Sequence, residues 1–202
     1  VGHRAVSTVG PVLIIGSGLL GASLGLALRA GGVKVYLEDA SPTSLRLASD
    51  VGAGQAFGDV LAEAGVRSGE CGSDTPSYEA PSLVVVATPP DVADRVIVES
   101  LLRFPDAIVT DVASVKDAVV ADVLRGLERE DCLEAASRYV GSHPMAGRER
   151  SGAGAADADL FYGRPWVIVA HETTWPRAVL VTRALATDVG AVPLEMNAGT
   201  HD

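Results

Sequence analysis

The sequence predicts an α/β fold, a mostly parallel sheet wrapped by helices. Three observations point there. Apolar runs of four to six residues recur along the chain, stretches with helical spacing separate them, and a glycine-rich turn follows the first run directly. Short runs that are apolar on both faces suit strands covered by helices on both sides.

Taken in order, Val12 to Ile15 is the first strand. Leu20, Leu24, Ala27 and Leu28 then fall on one helical stripe, which Gly31-Gly32 ends. Val33 to Glu38 reads as the second strand and Thr43 to Val51 as the second helix. Arg67 to Pro81, rich in Gly, Ser, Glu and Pro, reads as a surface excursion. Leu83 to Ala87 carries the strongest strand signal and is stopped by Pro89-Pro90. A helix on Ala93, Val96, Ile97 and Leu101 follows, then a strand at Ala107 to Val112. The next helix is on Val119, Val120, Val123, Leu124 and Leu127. Last come a short strand near Tyr139 to Gly141, an irregular stretch from Gly147 to Arg164, a strand at Trp166 to Ala170, a helix from Trp175 to Thr187 and a strand at Ala191 to Leu194. The expected division is a flexible N-terminus over 1–10, one domain over 11–195, and the start of a linker over 196–202.

Composition narrows the class. Of 202 residues 48% are hydrophobic and 21% charged, which excludes a disordered chain. Cys71 and Cys132 cannot staple a chain of this size and show no redox or metal spacing, so a reducing, cytoplasmic setting is expected. No apolar run approaches the ~18 residues of a membrane span. Sixteen Lys and Arg against 26 Asp and Glu give a net charge of −10, which argues against nucleic acid. An anionic substrate is compatible with that charge, because at ~8 Å screening length a few local cations outweigh a distant acidic surface. His3, His143, His171 and His201 have no metal-ligand spacing, so no metal site is expected.

Gly16-Ser17-Gly18-Leu19-Leu20-Gly21 matches G-x-G-x-x-G between a strand and a helix. The first glycine permits the tight turn, the second lets a pyrophosphate approach the backbone, and the third lets helix and strand pack closely. The helix N-terminus then faces the phosphate charge. Glu38 and Asp39 follow at the end of the second strand, and Asp39 stands eighteen residues after Gly21. A carboxylate there accepts hydrogen bonds from ribose hydroxyls and repels a 2′-phosphate, favouring NAD over NADP. Arg46 is the nearby residue that could instead take a 2′-phosphate, and Asp39 could merely cap the turn at Ser41-Pro42. Together these features refine the fold class to a Rossmann-like, doubly wound sheet.

Ligands of such sheets lie beyond the carboxyl ends of the strands. Three of those ends carry polar groups: Thr88, the stretch Asp111-Val112-Ala113-Ser114-Val115-Lys116, and Ser142-His143. A histidine before a proline is commonly structural. Beside a nicotinamide, however, an imidazole is well suited to accept an alcohol proton as hydride leaves the same carbon.

The stretch GSHPMAGRERSG, with DVASVK upstream, GSGLLGAS near the start and DLFYGRPWVI downstream, resembles the prephenate/arogenate dehydrogenase family of tyrosine biosynthesis from Pro11 to Asp202. The resemblance implies an NAD-dependent oxidative decarboxylation of prephenate to 4-hydroxyphenylpyruvate, or of arogenate to tyrosine. It implies that His143 accepts the hydroxyl proton and that Ser114 holds the hydroxyl and the nicotinamide side. Glu149 would shape the substrate entrance, and Gly16, Gly18, Gly21, Asp39 and Thr88 would bind the dinucleotide. Ser17, Leu19, Leu20 and Asp111 are expected to join the cofactor site. Lys116, Arg148, Arg150 and Arg164 are expected to surround its mouth and attract a small dicarboxylate. Arg148 and Ala113 depart from the pattern common in relatives.

Relatives continue into a helical domain that forms a homodimer and supplies an arginine for the ring carboxylate. Met196 to Asp202 reads as the junction with that domain, so this chain is expected to be its nucleotide-binding partner, able to bind NAD and of uncertain turnover alone. A dinucleotide-binding module without chemistry is the alternative from another class.

Overall fold

The computed structural model describes residues 6–66, 78–146 and 152–196. Its strands are β1 (Val12–Ile15), β2 (Val35–Glu38), β3 (Gln55–Ala56), β4 (Leu83–Val86), β5 (Ile108–Asp111), β6 (Tyr139–Pro144), β7 (Pro165–Val169) and β8 (Val192–Met196). They form one sheet in the order β3-β2-β1-β4-β5-β6-β7-β8. From β3 to β6 every neighbouring pair is parallel. Here β7 reverses against β6, and β8 runs parallel to β7.

The helices are α1 (Leu19–Ala30), α2 (Pro42–Asp50), α3 (Phe57–Glu63), α4 (Pro90–Arg103), α5 (Asp117–Arg129) and α6 (Pro176–Asp188). One face of the sheet packs Leu24 and Leu28 of α1, Ala48 of α2 and Leu185 of α6 against Val12, Ile14, Val85 and Ile168. The other packs Phe57 of α3, Ile97 and Leu101 of α4, and Val123 and Leu127 of α5 against Leu13, Val84, Val86 and Val109. The strand order therefore reverses between β1 and β4, where the helices change face. That is the position at which an open α/β sheet leaves a crevice for a ligand.

Helix boundaries follow local chemistry. Helix α2 starts behind Ser41, whose hydroxyl accepts the Ser44 amide, with Pro42 in the first turn. Helix α4 likewise begins on Pro90. Its C-terminus is closed by the buried Arg138, whose guanidinium donates to the carbonyls of Leu101, Phe104 and Ala107 at 2.7–3.0 Å.

Three differences from the sequence expectation matter. A two-residue strand, β3, and the short α3 fill the region before the excursion, most of which lies outside the described residues. The reversal of β7 was not expected. Among the described residues between β6 and β7 only a short 3-10 turn, Ala153–Ala155, is helical, and β7 pairs antiparallel with β6. Third, the expected flexible N-terminus is tied down over its described part. The amides of Ser7 and Thr8 and the Thr8 hydroxyl all donate to Asp188 Oδ2 at 2.6–2.9 Å.

Candidate dinucleotide-binding and catalytic site

The glycine turn leaves β1 at Gly16, whose φ of +102° is open to glycine and strained for other residues. A Cβ on Gly16 would also meet the Ala87 carbonyl oxygen at 2.5 Å, so the turn lies tight against the end of β4. A Cβ on Gly21 would stand 1.9 Å from the Gly16 carbonyl oxygen, which shows how closely α1 packs on its own turn. Gly18 is the opposite case. It is exposed, and nothing lies within 4 Å of where its Cβ would be. Gly18 is also the N-cap of α1, with no side-chain cap and no acidic residue in the first turn. No side chain caps the amides of that turn, which leaves them for an incoming phosphate. Leu19 and Leu20 form this first turn and are half-buried.

Of the two acids after β2, Asp39 is the one at the turn. Its Oδ2 accepts the Ser17 amide at 2.6 Å and the Ser17 hydroxyl at 2.7 Å, and its Oδ1 accepts the Ser41 amide at 2.7 Å. Glu38 points elsewhere, accepting at 3.0 Å from Arg103, whose guanidinium lies over Phe57 and Phe104. Across the switch point, Thr88 follows β4. Its Oγ1 is buried and has no hydrogen-bond partner among the described residues. A buried hydroxyl without a partner is costly unless a ligand completes it.

Ser114 is exposed in the turn between β5 and α5. His143 differs from expectation: it lies within β6 rather than beyond it, opposite Val167 of β7, and is half-buried. Strand periodicity puts His143 on the face that carries Tyr139 and Gly141. In sheet order the glycine turn, Thr88, Ser114 and His143 belong to four successive strands, β1, β4, β5 and β6. Three strand spacings make a row about 14 Å long.

Two expected roles are corrected. Lys116 does not attract substrate from the mouth; its side chain is fully buried and ion-paired with Asp111. Asp111 in turn is unavailable to a dinucleotide, being equally buried with both carboxylate oxygens engaged. Oδ1 accepts the Ala113 amide at 2.9 Å as well as Lys116, and Oδ2 accepts the Tyr139 hydroxyl at 2.7 Å. Burial first, then the Asp111 charge and hydrogen bond, raise the Tyr139 phenol well above its usual range. Nothing in the local sequence singled out Tyr139, because its partner is 28 residues away. Arg164 is exposed just before β7, near Met145, whose amide donates to the Pro165 carbonyl. Arg148, Glu149 and Arg150 lie outside the described residues, as do Cys71, His3 and His201. Among the described residues no group of His, Cys, Asp and Glu could hold a metal ion, and no helix is long and apolar enough to cross a membrane.

A family model described as the nucleotide-binding domain of prephenate dehydrogenase matches residues 24–194. A probable prephenate dehydrogenase of Streptomyces niveus, NovF, is 38% identical over 190 residues, 94% of this chain and 46% of the relative. The prephenate dehydrogenase of Bacillus subtilis is 27% identical over 194 residues, 95% of this chain and 47% of that protein. The chain thus spans about half the length of these curated relatives. Among solved structures, the prephenate dehydrogenase of A. aeolicus in complex with hydroxyphenyl propionate and NAD+ superposes with a TM-score of 0.77 at 26% identity, covering 98% of this chain and 63% of that one. The arogenate dehydrogenase of Synechocystis superposes with a TM-score of 0.74 at 23% identity, over 94% of this chain and 60% of that one, a likeness of fold. The family match over most of the chain, on a sheet whose glycine turn opens at its switch point, shows that this chain belongs to the family of prephenate dehydrogenase nucleotide-binding domains.

Proposed function

We propose that this domain binds NAD across the β2–β1–β4–β5–β6 row and serves an NAD-dependent oxidative decarboxylation of prephenate to 4-hydroxyphenylpyruvate. One observation carries the cofactor half of this reading: the uncapped start of α1, where Gly18 leaves open space and Thr88 Oγ1 lies nearby without a partner among the described residues. The donor set fits the group. Amides of the first turn of α1 would hold the pyrophosphate, Asp39 the adenosine ribose, and Thr88 the portion nearer the nicotinamide. The complex of the A. aeolicus relative with NAD+ supports the same choice.

NAD, when bound, supplies the hydride acceptor. The remaining work falls to the chain's own residues. Ser114, exposed after β5, would hold the substrate hydroxyl. His143 on β6 would take that hydroxyl's proton as the carbon beneath it is oxidised to a carbonyl. Loss of carbon dioxide from the opposite ring carbon then returns an electron pair to the ring and the carbonyl oxygen, which regains a proton as a phenol. Aromatisation drives this step, so orientation and proton removal are the main demands on the protein. Arg164, with Arg148, Glu149 and Arg150, would shape the mouth for a dicarboxylate. The dimer and the arginine that the family resemblance implies would come from polypeptide outside this domain.

The test is to incubate the protein with NAD and prephenate, then arogenate, and follow absorbance of the reduced cofactor. Reduction with prephenate, falling about 10²–10⁴-fold in His143→Asn with NAD affinity kept, is the expected result. A His143→Asn protein that keeps most of its turnover would remove His143 from the mechanism. NAD binding with no reduction by either substrate would favour a binding module.

A further inference from the structure

The regular ladder between β5 and β6 covers only Val109 with Tyr139 and Thr110 with Val140. Past that point the two strands are joined by side chains. The Ser142 hydroxyl donates to the Asp111 carbonyl oxygen at 2.6 Å, and Ser142 Oγ itself accepts the Trp166 indole N–H at 2.9 Å. The Thr110 hydroxyl, bonded to the Val140 carbonyl at 2.7 Å, lies 3.2 Å from the same Ser142 oxygen. Thr110, Asp111, Ser142 and Trp166 are all fully buried.

Asp111 is therefore grasped from two directions. Its carboxylate holds the turn after β5 through the Ala113 amide, one residue before Ser114. Its carbonyl holds β6 through Ser142, one residue before His143. Tyr139 and Lys116 occupy the remaining carboxylate positions, and Gly141 lies over them: a Cβ there would touch Lys116 Cδ at 3.4 Å and the Tyr139 hydroxyl at 3.5 Å. A charged cluster this deep is costly to assemble and rigid once satisfied, because each lost bond leaves a buried polar group behind. It lies beneath the two residues whose relative position the proposed reaction depends on most.

We propose that Asp111, clamped by Tyr139 and Lys116, is a positioning residue that locks Ser114 and His143 in register without touching substrate or cofactor. Its effect on turnover rests on the dehydrogenase reading; the mechanical coupling of the two segments does not. Asp111→Asn alone is a poor test, since an unbalanced buried Lys116 could prevent folding. Tyr139→Phe and Ser142→Ala each remove one hydroxyl and leave the ion pair intact.

The experiment is amide hydrogen exchange on the protein without ligands, paired with steady-state kinetics. In both variants, exchange at 113–115 and 142–143 should quicken about tenfold, the size of one lost bond to a buried partner, while β1 and β4 keep their protection. With NAD and prephenate, kcat should fall about tenfold with the NAD dissociation constant unchanged, and Tyr139→Phe should cost nothing more in a Ser114→Ala background. Quickening spread evenly over the sheet, no quickening at those amides, or full additivity with Ser114→Ala would overturn the proposal. A protein that shows the expected exchange pattern but neither binds nor reduces NAD would refute the dehydrogenase reading and uphold the coupling.

Discussion

Ser17 and Asp39 are bonded twice, amide and hydroxyl of the serine to one carboxylate oxygen, at 2.6 and 2.7 Å. The end of β2 thereby holds the glycine turn in shape, while Oδ1 of the half-buried Asp39 accepts the Ser41 amide. Removing that carboxylate should harm NAD binding in two ways, by loosening the turn and by losing the ribose contact. Asp39→Ala is expected to raise the NAD dissociation constant about tenfold or more and to narrow the preference over NADP. Titration with both dinucleotides checks it, and an unchanged NAD/NADP ratio would count against the ribose role.

The glycines of the turn should separate stability from binding. Gly21→Ala forces a Cβ into the Gly16 carbonyl and should cost on the order of 3 kcal/mol in denaturant unfolding. Gly18→Ala has space and an ordinary φ of −70°, so it should unfold like the parent. It would, however, push a methyl group toward the place of the pyrophosphate, and NAD should bind about tenfold more weakly or worse. Equal stability losses in both variants would contradict this division.

Lys116 offers a test of its corrected role. If its charge served the mouth of the site, Lys116→Met would alter the salt dependence of substrate affinity and leave stability alone. Buried against Asp111, it should instead destabilise by about 3–5 kcal/mol, because the carboxylate loses its counter-charge. Chemical denaturation distinguishes the two outcomes.

His171 should give the domain a pH-dependent stability. Burial lowers its pKa below the ordinary 6.5, outweighing the opposing effect of backbone hydrogen bonds to Ala136 and Tyr139. The unfolded chain then takes up a proton at higher pH than the folded one. The His171 contribution is complete above about pH 6.5 and is lost as pH falls through the lower folded value. Melting temperatures measured between neutral and mildly acidic pH should drop less steeply in His171→Gln than in the parent.

Much of this architecture was legible in the sequence because it rests on local pattern. The four-residue apolar runs of β1 and β4, the helical stripes of α1, α4 and α5, and the glycine turn each announce themselves within a dozen residues. What stayed hidden is non-local. Direction is not written in an apolar run, so the reversal of β7 was invisible. The sequence suggests only a short strand near Tyr139 to Gly141, yet β6 continues to Pro144 because antiparallel pairing with β7 extends the strand past the ladder with β5. Gln55-Ala56 is too short to show alternation. Lys116 reads as a cation at the mouth of the site and Asp111 as part of the cofactor site, and only the approach of Tyr139, from a strand 28 residues on, reveals a buried cluster.

The central claim is that one dinucleotide reaches from the glycine turn to His143. Nuclear magnetic resonance of the protein with labelled backbone amides and histidine rings tests it most directly, by comparing saturating NAD with ADP-ribose, which lacks the nicotinamide. The account predicts that both ligands shift the amides of residues 16–21 while only NAD shifts the His143 ring. A His143 ring that responds identically to both, or glycine amides that respond to neither, would contradict it.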